Sequence, residues 1–128
     1  MTANKKAIQS PEAPAAIGSY TQAIAVDKTV YLSGQIPLDP ITMTLVPGDI
    51  NVQIHQVFHN LSAVCKAAGG SLDEIVKLTV YLVDLAHLAI VNEIMQDHFA
   101  LPYPARTSIQ ISALPKGAGV EIDAILVL

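Results

Sequence analysis

The period of the apolar residues changes twice in the middle of this chain, and few folds accommodate such a change. After Asp49, a good helix N-cap, Ile54, Val57, Phe58, Leu61, Val64, Cys65 and Ala68 recur every three or four positions. That is the spacing of a helix with one buried face, and Gly69-Gly70 ends it. The run EIVKLTVYLVD then reads as a strand, rich in β-branched residues and buried on at least one side. Asp84 caps a second helical repeat, Leu85, Leu88, Val91, Ile94, Met95 and Phe99, which stops before Pro102. Two helices with single apolar stripes, separated by a buried strand, must lie on a sheet.

Further strands complete that sheet. Lys5 to Gln9 is a short strand, and Pro11 and Pro14 make the next stretch irregular. Thr21–Val26 and Thr29–Ser33 flank Asp27-Lys28 at two-residue hairpin spacing. SGQIPLDPITMTLVPGD, rich in Pro and Gly, is a long ordered loop. Ala105–Leu114 and Val120–Leu128 are two strands joined by PKGAG, expected to close as a hairpin. The order β-β-β-α-β-α-β-β describes one α+β domain over residues 1–128, a mixed six-stranded sheet with both helices on one face.

Hydrophobic residues make up 52% of the chain and charged ones 14%, leaving little ionic surface to cover a monomer. Association with further copies is therefore expected. The net charge is −4 and the seven basic residues are scattered, which argues against a nucleic-acid partner. A single cysteine, Cys65, excludes an internal disulfide and fits a reducing compartment. It falls on the buried stripe of its helix, where a thiol behaves as a small hydrophobe. The N-terminus has no apolar stretch of signal-peptide type, and no run is long enough for a bilayer, so a cytoplasmic protein without a membrane partner is expected.

Arg106, in YPARTSIQISALP, is the only arginine in the chain. Strand alternation sets it with Ser108, Gln110 and Ser112 on one face, and Ala105, Thr107, Ile109 and Ile111 on the other. If the helices cover the apolar face, the guanidinium lies on a polar face that is either a subunit contact or a wet cavity. Its fork suits a planar carboxylate, although composition alone favours an ordinary ion pair to an acidic residue on a neighbouring strand or subunit. Glu121 shares a strand face with Asp123, while Val120, Ile122 and Ala124 face the core. It is either a solvated edge carboxylate or, in a closed cleft, a general acid or base. A tight hairpin through PKGAG would hold Arg106 and Glu121 about 20 Å apart in one chain, so a shared site would cross a subunit boundary or need a different strand register.

Other features read more simply. His55 and His59 lie one helical turn apart without an HExxH pattern, off the apolar stripe, and are expected in solvent rather than on a metal; His87 and His98 read the same way. Ser33-Gly34 is either a strand-ending turn or a close backbone approach to a ligand. Tyr20 begins a strand and can offer a phenol to a cleft. GxGxxG, P-loop and GxSxG motifs are missing, so nucleotide and serine-hydrolase chemistry have no support.

Four stretches, PAAIGSYTQAI, VYLSGQIPLDP, LSAVCKAAGGSLDEIVKLTVYLVDL and PARTSIQISALPKGAGVEIDAI, together resemble the RidA (YjgF) family of reactive-intermediate deaminases, nearly end to end. The resemblance implies a chorismate-mutase-like fold and a homotrimer whose sheets form a central barrel, with ligand clefts between subunits. It implies hydrolysis of 2-imino acids, 2-iminobutanoate and the 2-iminopropanoate formed from 2-aminoacrylate, to 2-keto acids and ammonia. No metal or organic cofactor is implied. By the same resemblance Arg106 holds the substrate carboxylate and Glu121 positions or activates water, while Tyr20, Ser33, Gly34, Asn92 and Ser108 line the cleft. Ser108 stands where a cysteine is common, and GSY replaces the usual GPY before Tyr20. The serine keeps a small hydrogen-bonding group but removes any thiol chemistry. Two other readings stand beside the hydrolase: a trimeric module that binds 2-keto acids without turnover, and an RNA-cleaving protein, which the acidic charge disfavours.

Overall fold

The computed structural model describes residues 4–128. One six-stranded sheet runs in the order β1 (Lys6–Ile8), β2 (Ala23–Val26), β3 (Thr29–Gln35), β6 (Val120–Val127), β4 (Ile75–Leu82), β5 (Ala105–Gln110). Every pairing is antiparallel except β4 with β5, which run parallel. Helices α1 (Ile50–Ala67) and α2 (Leu88–His98) supply the second layer.

Local chemistry sets the helix ends. The Asp49 side chain accepts from the Val52 amide, and Gly69 at φ 95° turns the chain so that the Gly70 amide returns to the Cys65 carbonyl. Asp84 caps a 3₁₀ turn, Leu85–His87, and α2 proper begins only at Leu88. The α1 stripe, Ile54 to Cys65, is buried with Val30 and Leu32 of β3, Leu78 and Val80 of β4, and Ile122, Ala124 and Leu126 of β6. Burial pushes the Cys65 thiol up to about 12, with Glu74 adding to the effect, so it packs as an apolar group.

The expected C-terminal hairpin does not form. Pro115–Gly117 makes a 3₁₀ turn, with Lys116 at φ 57°, that carries the chain past the end of β4. Strand β6 then inserts between β3 and β4, and β5 stays on the sheet edge. The apolar rows explain the placement. Val120, Ile122, Ala124 and Leu126 give β6 a fully apolar face for the centre of the core. Strand β5 has Arg106, Ser108 and Gln110 in the equivalent row and suits only the periphery.

The expected faces of β5 are also reversed. Arg106, Ser108 and Gln110 are registered beside Leu78, Val80 and Leu82, which point into the core. The guanidinium therefore lies on the helix side. The opposite face of the sheet carries Tyr31, Thr79, Tyr81, Thr107, Ile109, Glu121, Asp123 and Ile125, and no helix among the described residues covers it.

Candidate active site

Helix α2 positions the arginine. Asn92 and Met95 stand three residues apart, on one side of the helix, above the β5 edge. Arg106 Nη1 donates to Asn92 Oδ1 at 2.7 Å and lies 3.3 Å from Met95 Sδ. Nε and Nη2 have no acceptor among the described residues, so the side of the fork away from Asn92 is open to a ligand. Asn92, Met95, Gln96, Tyr103, Pro104 and Arg106 line a cleft of about 400 Å³. Ser108 follows Arg106 on the same face, and its Oγ is enclosed without a described partner.

A bulge positions the second cluster. Leu32 pairs with Ala124 and Gln35 with Ile122, so Ser33 and Gly34 together oppose Asp123. Strand β3 thus runs past the expected end at Ser33. The bulge brings Gly34 against Glu121, and both line a cleft of about 400 Å³ with Pro14, Ile17, Tyr20 and Ser33. The Ser33 hydroxyl donates to the Thr21 carbonyl and its amide to the Gln22 carbonyl, so both of its donors are occupied. The Tyr20 oxygen accepts from the Ile17 amide at 3.3 Å, which leaves the phenolic proton free to donate. Burial, then the nearby Asp123 carboxylate, raises Glu121 above the usual carboxylate range.

These seven residues thus form two groups. Arg106, Asn92 and Ser108 lie on the helix side; Glu121, Tyr20, Ser33 and Gly34 belong to the other cleft. Arg106 is registered with Leu78 of β4 and Glu121 with Tyr81. Two strand spacings and three residues put their backbones about 14 Å apart, closer than the hairpin register implies, but on opposite faces of the sheet. One chain does not bring the two groups together.

Two buried amides went unmarked in the sequence. Gln22 receives the Ser10 amide at 2.6 Å and donates to the carbonyls of Ser10, Ala13 and Pro14, clamping the segment that walls the Glu121 cleft. Asn60 holds the loop after β3 through the carbonyls of Ile36 and Leu38. The signal available was a carboxamide inside an apolar run, as in YTQAIAV.

The histidines depart from expectation. His55 Nδ1 lies 2.9 Å from His98 Nε2, and the His98 ring also packs on Phe58 and His59. His55 and His98 are half-buried between the helices, and only His59 is exposed. Phe58 and Phe99 form the apolar base that draws the rings together. Among the described residues, no group of three or more His, Cys, Asp or Glu side chains is arranged to hold a metal. None of the helices described is long and apolar enough to cross a membrane.

Residues 10–128 match the model of the family described as endoribonuclease L-PSP. The chain is 50% identical to protein DfrA of Myxococcus xanthus, over 96% of this chain and 95% of the relative. It is 46% identical to the 2-iminobutanoate/2-iminopropanoate deaminase of Mus musculus, over 96% of this chain and 91% of the mouse protein. The crystal structure of RidA from an Antarctic Psychrobacter species superposes with a TM-score of 0.93 at 50% identity, covering 96% of this chain and 99% of that one.

Proposed function

The chain belongs to the endoribonuclease L-PSP family, which is the RidA (YjgF) family, and on that premise we propose that it is a 2-iminobutanoate/2-iminopropanoate deaminase. The observation that carries this reading is the Arg106 guanidinium, tied by one nitrogen to Asn92 with the rest of its fork open. Such a fork takes a carboxylate in two parallel hydrogen bonds.

The chemistry needs little more than positioning. Arg106 anchors the 2-imino acid by its carboxylate and fixes the C=N carbon next to water. As water adds to that carbon, Glu121 takes its proton and passes it to the nitrogen, giving a carbinolamine. Glu121 then takes the proton of that intermediate's hydroxyl and delivers it to the nitrogen as the C–N bond breaks, so that the nitrogen leaves as ammonia. One water is consumed, and one ammonia and one 2-keto acid leave. Desolvation makes Glu121 a stronger base than a solvated carboxylate, in keeping with this role. Tyr20, Gly34, Ser33 and Ser108 complete the walls, with Tyr20 and Ser108 offering hydroxyls.

Because Arg106 and Glu121 occupy opposite faces, a working cleft takes its arginine from one subunit and its glutamate from another. A homotrimer with its sheets closed into a central barrel satisfies this requirement, and the uncovered sheet face with Tyr31, Ile109 and Ile125 offers the surface for it. The protein acts in the cytoplasm, without metal or organic cofactor. An RNA substrate has poor support: the net charge is −4 and the seven basic residues do not cluster.

The test is coupled hydrolysis. A threonine dehydratase generates 2-iminobutanoate, semicarbazide traps it, and this protein competes with the trap. Wild type is expected to suppress the semicarbazone signal, and Arg106→Ala and Glu121→Gln to lose that effect. An inert wild type that still binds 2-keto acids would replace the enzyme with a binding module.

A further inference from the structure

The uncovered sheet face carries a second carboxylate that the reaction above does not use. Asp123 is two residues from Glu121 on β6, on the same side of the sheet and about 7 Å along the strand. On the neighbouring strand stands Tyr81 of β4. It is registered directly opposite Glu121, yet its hydroxyl reaches diagonally to Asp123 Oδ2 at 3.2 Å. On the other flank, Asp123 faces the Ser33–Gly34 bulge whose glycine touches Glu121. The tyrosine thus holds one carboxylate beside another, in the middle of the sheet, and no described lysine or arginine pairs with either.

We propose that Asp123, fixed by the Tyr81 hydroxyl, is a positioning residue that acts on imine hydrolysis through Glu121. The inference rests on Glu121 being the proton carrier. A like charge held at this distance disfavours the ionised form of its neighbour, so Glu121 becomes a better base than burial alone would make it. The direction of the Glu121 shift agrees, with burial the larger cause and Asp123 the second. Partial burial, then Asp123 and Glu121, push the Tyr81 phenol up, so it remains a donor throughout the working range. Within one chain the other groups facing Glu121 are few, and the Arg106 guanidinium that the composite cleft brings from another subunit favours its ionised form in wild type and in Asp123→Asn alike. Strand β3 offers Ser33 and Gly34, the segment before β2 offers Tyr20, and Lys77 on β4 is bonded to Thr107.

Two readouts on the intact protein test this. The Glu121 carboxyl is titrated by carbon NMR in glutamate-labelled protein, with Glu121→Gln assigning the signal, and kcat for 2-iminobutanoate is followed across pH. Asp123→Asn keeps the shape and the Tyr81 contact but removes the charge. It is expected to move the Glu121 midpoint and the acid limb of kcat to lower pH together, and to reduce kcat at the wild-type optimum about three- to ten-fold. Tyr81→Phe frees Asp123 toward water and should move both part of the way. Asp123→Glu, which restores the charge, should bring both back toward wild type. An unmoved midpoint in Asp123→Asn overturns the proposal, as does a midpoint that moves while the limb does not. If Glu121→Gln keeps wild-type turnover, the assignment of Glu121 itself fails, and the NMR midpoints distinguish that failure from this one.

Discussion

Gly34 packs so closely on Glu121 that a Cβ built on the glycine would lie 2.5 Å from Oε2 and 2.9 Å from Cδ of the carboxylate. Real Cβ atoms do not approach so near, so one of the two must move, and the free end of the glutamate moves more easily than the bulged backbone. Gly34→Ala should therefore leave stability within about 1 kcal/mol of wild type while displacing the carboxylate. Thermal unfolding and the semicarbazide assay, run together, should show an almost unchanged Tm and kcat reduced about ten- to hundred-fold. Full activity would mean that the reaction does not need Glu121 where it stands.

Asn92 orients the guanidinium without touching the reacting atoms. In Asn92→Ala the Arg106 fork loses its tether and samples more rotamers in an open cleft. KM for 2-iminobutanoate should rise about three- to ten-fold with kcat little changed, as expected for lost substrate anchoring. A fall in kcat at constant KM would instead give Asn92 a part in the chemical step.

The division of the site between faces makes a prediction about mixtures. Arg106→Ala and Glu121→Gln proteins, each inactive, are unfolded together and refolded. If clefts draw Arg106 and Glu121 from different subunits, random assembly restores about a quarter of them. Activity should return only in the mixture. No return, from mixed oligomers verified by mass spectrometry, would contradict the composite cleft.

The imidazole cluster ties stability to pH. Burial, then the neighbouring His55 and His59, lower the affinity of His98 for a proton below the ordinary value of 6.5, and Asp97 offsets only part of this. The unfolded chain then takes up a proton that the folded one refuses. Stability is complete above about pH 6.5 and falls as the pH drops from there toward the folded-state midpoint. His98→Gln should flatten this part of the curve in denaturant titrations, whereas a curve unchanged by the substitution would place the dependence elsewhere.

Gln22 spends its whole amide on the Pro-rich segment. Gln22→Ala leaves the Ser10 amide and three carbonyls without that partner in a buried place, at a cost of about 2–4 kcal/mol. Because Pro14 and Ile17 wall the Glu121 cleft, hydrogen exchange should rise in this segment before it rises in the core strands.

Helix and strand identities were legible in the sequence because periodicity and capping act over a few residues. Asp49 and Gly69 bracket α1 as their chemistry demands, and Glu121 shares its face with Asp123 as simple alternation requires. Family membership was legible too, since the motifs around Arg106 and Glu121 keep their order and spacing along nearly the whole chain. Strand neighbours were not. PKGAG gives the spacing of a hairpin, but the choice between pairing with β5 and inserting beside β4 depends on which apolar row fills the core, a competition among strands distant in sequence. That choice decided that Arg106 lies under α2 beside Asn92, on the opposite side of the sheet from Glu121. It also gathered His55 and His98 from separate helices into one contact. Local sequence fixes what each segment is and which side chains share its faces; only tertiary packing, through burial and hydrogen bonding between remote segments, decides which faces meet.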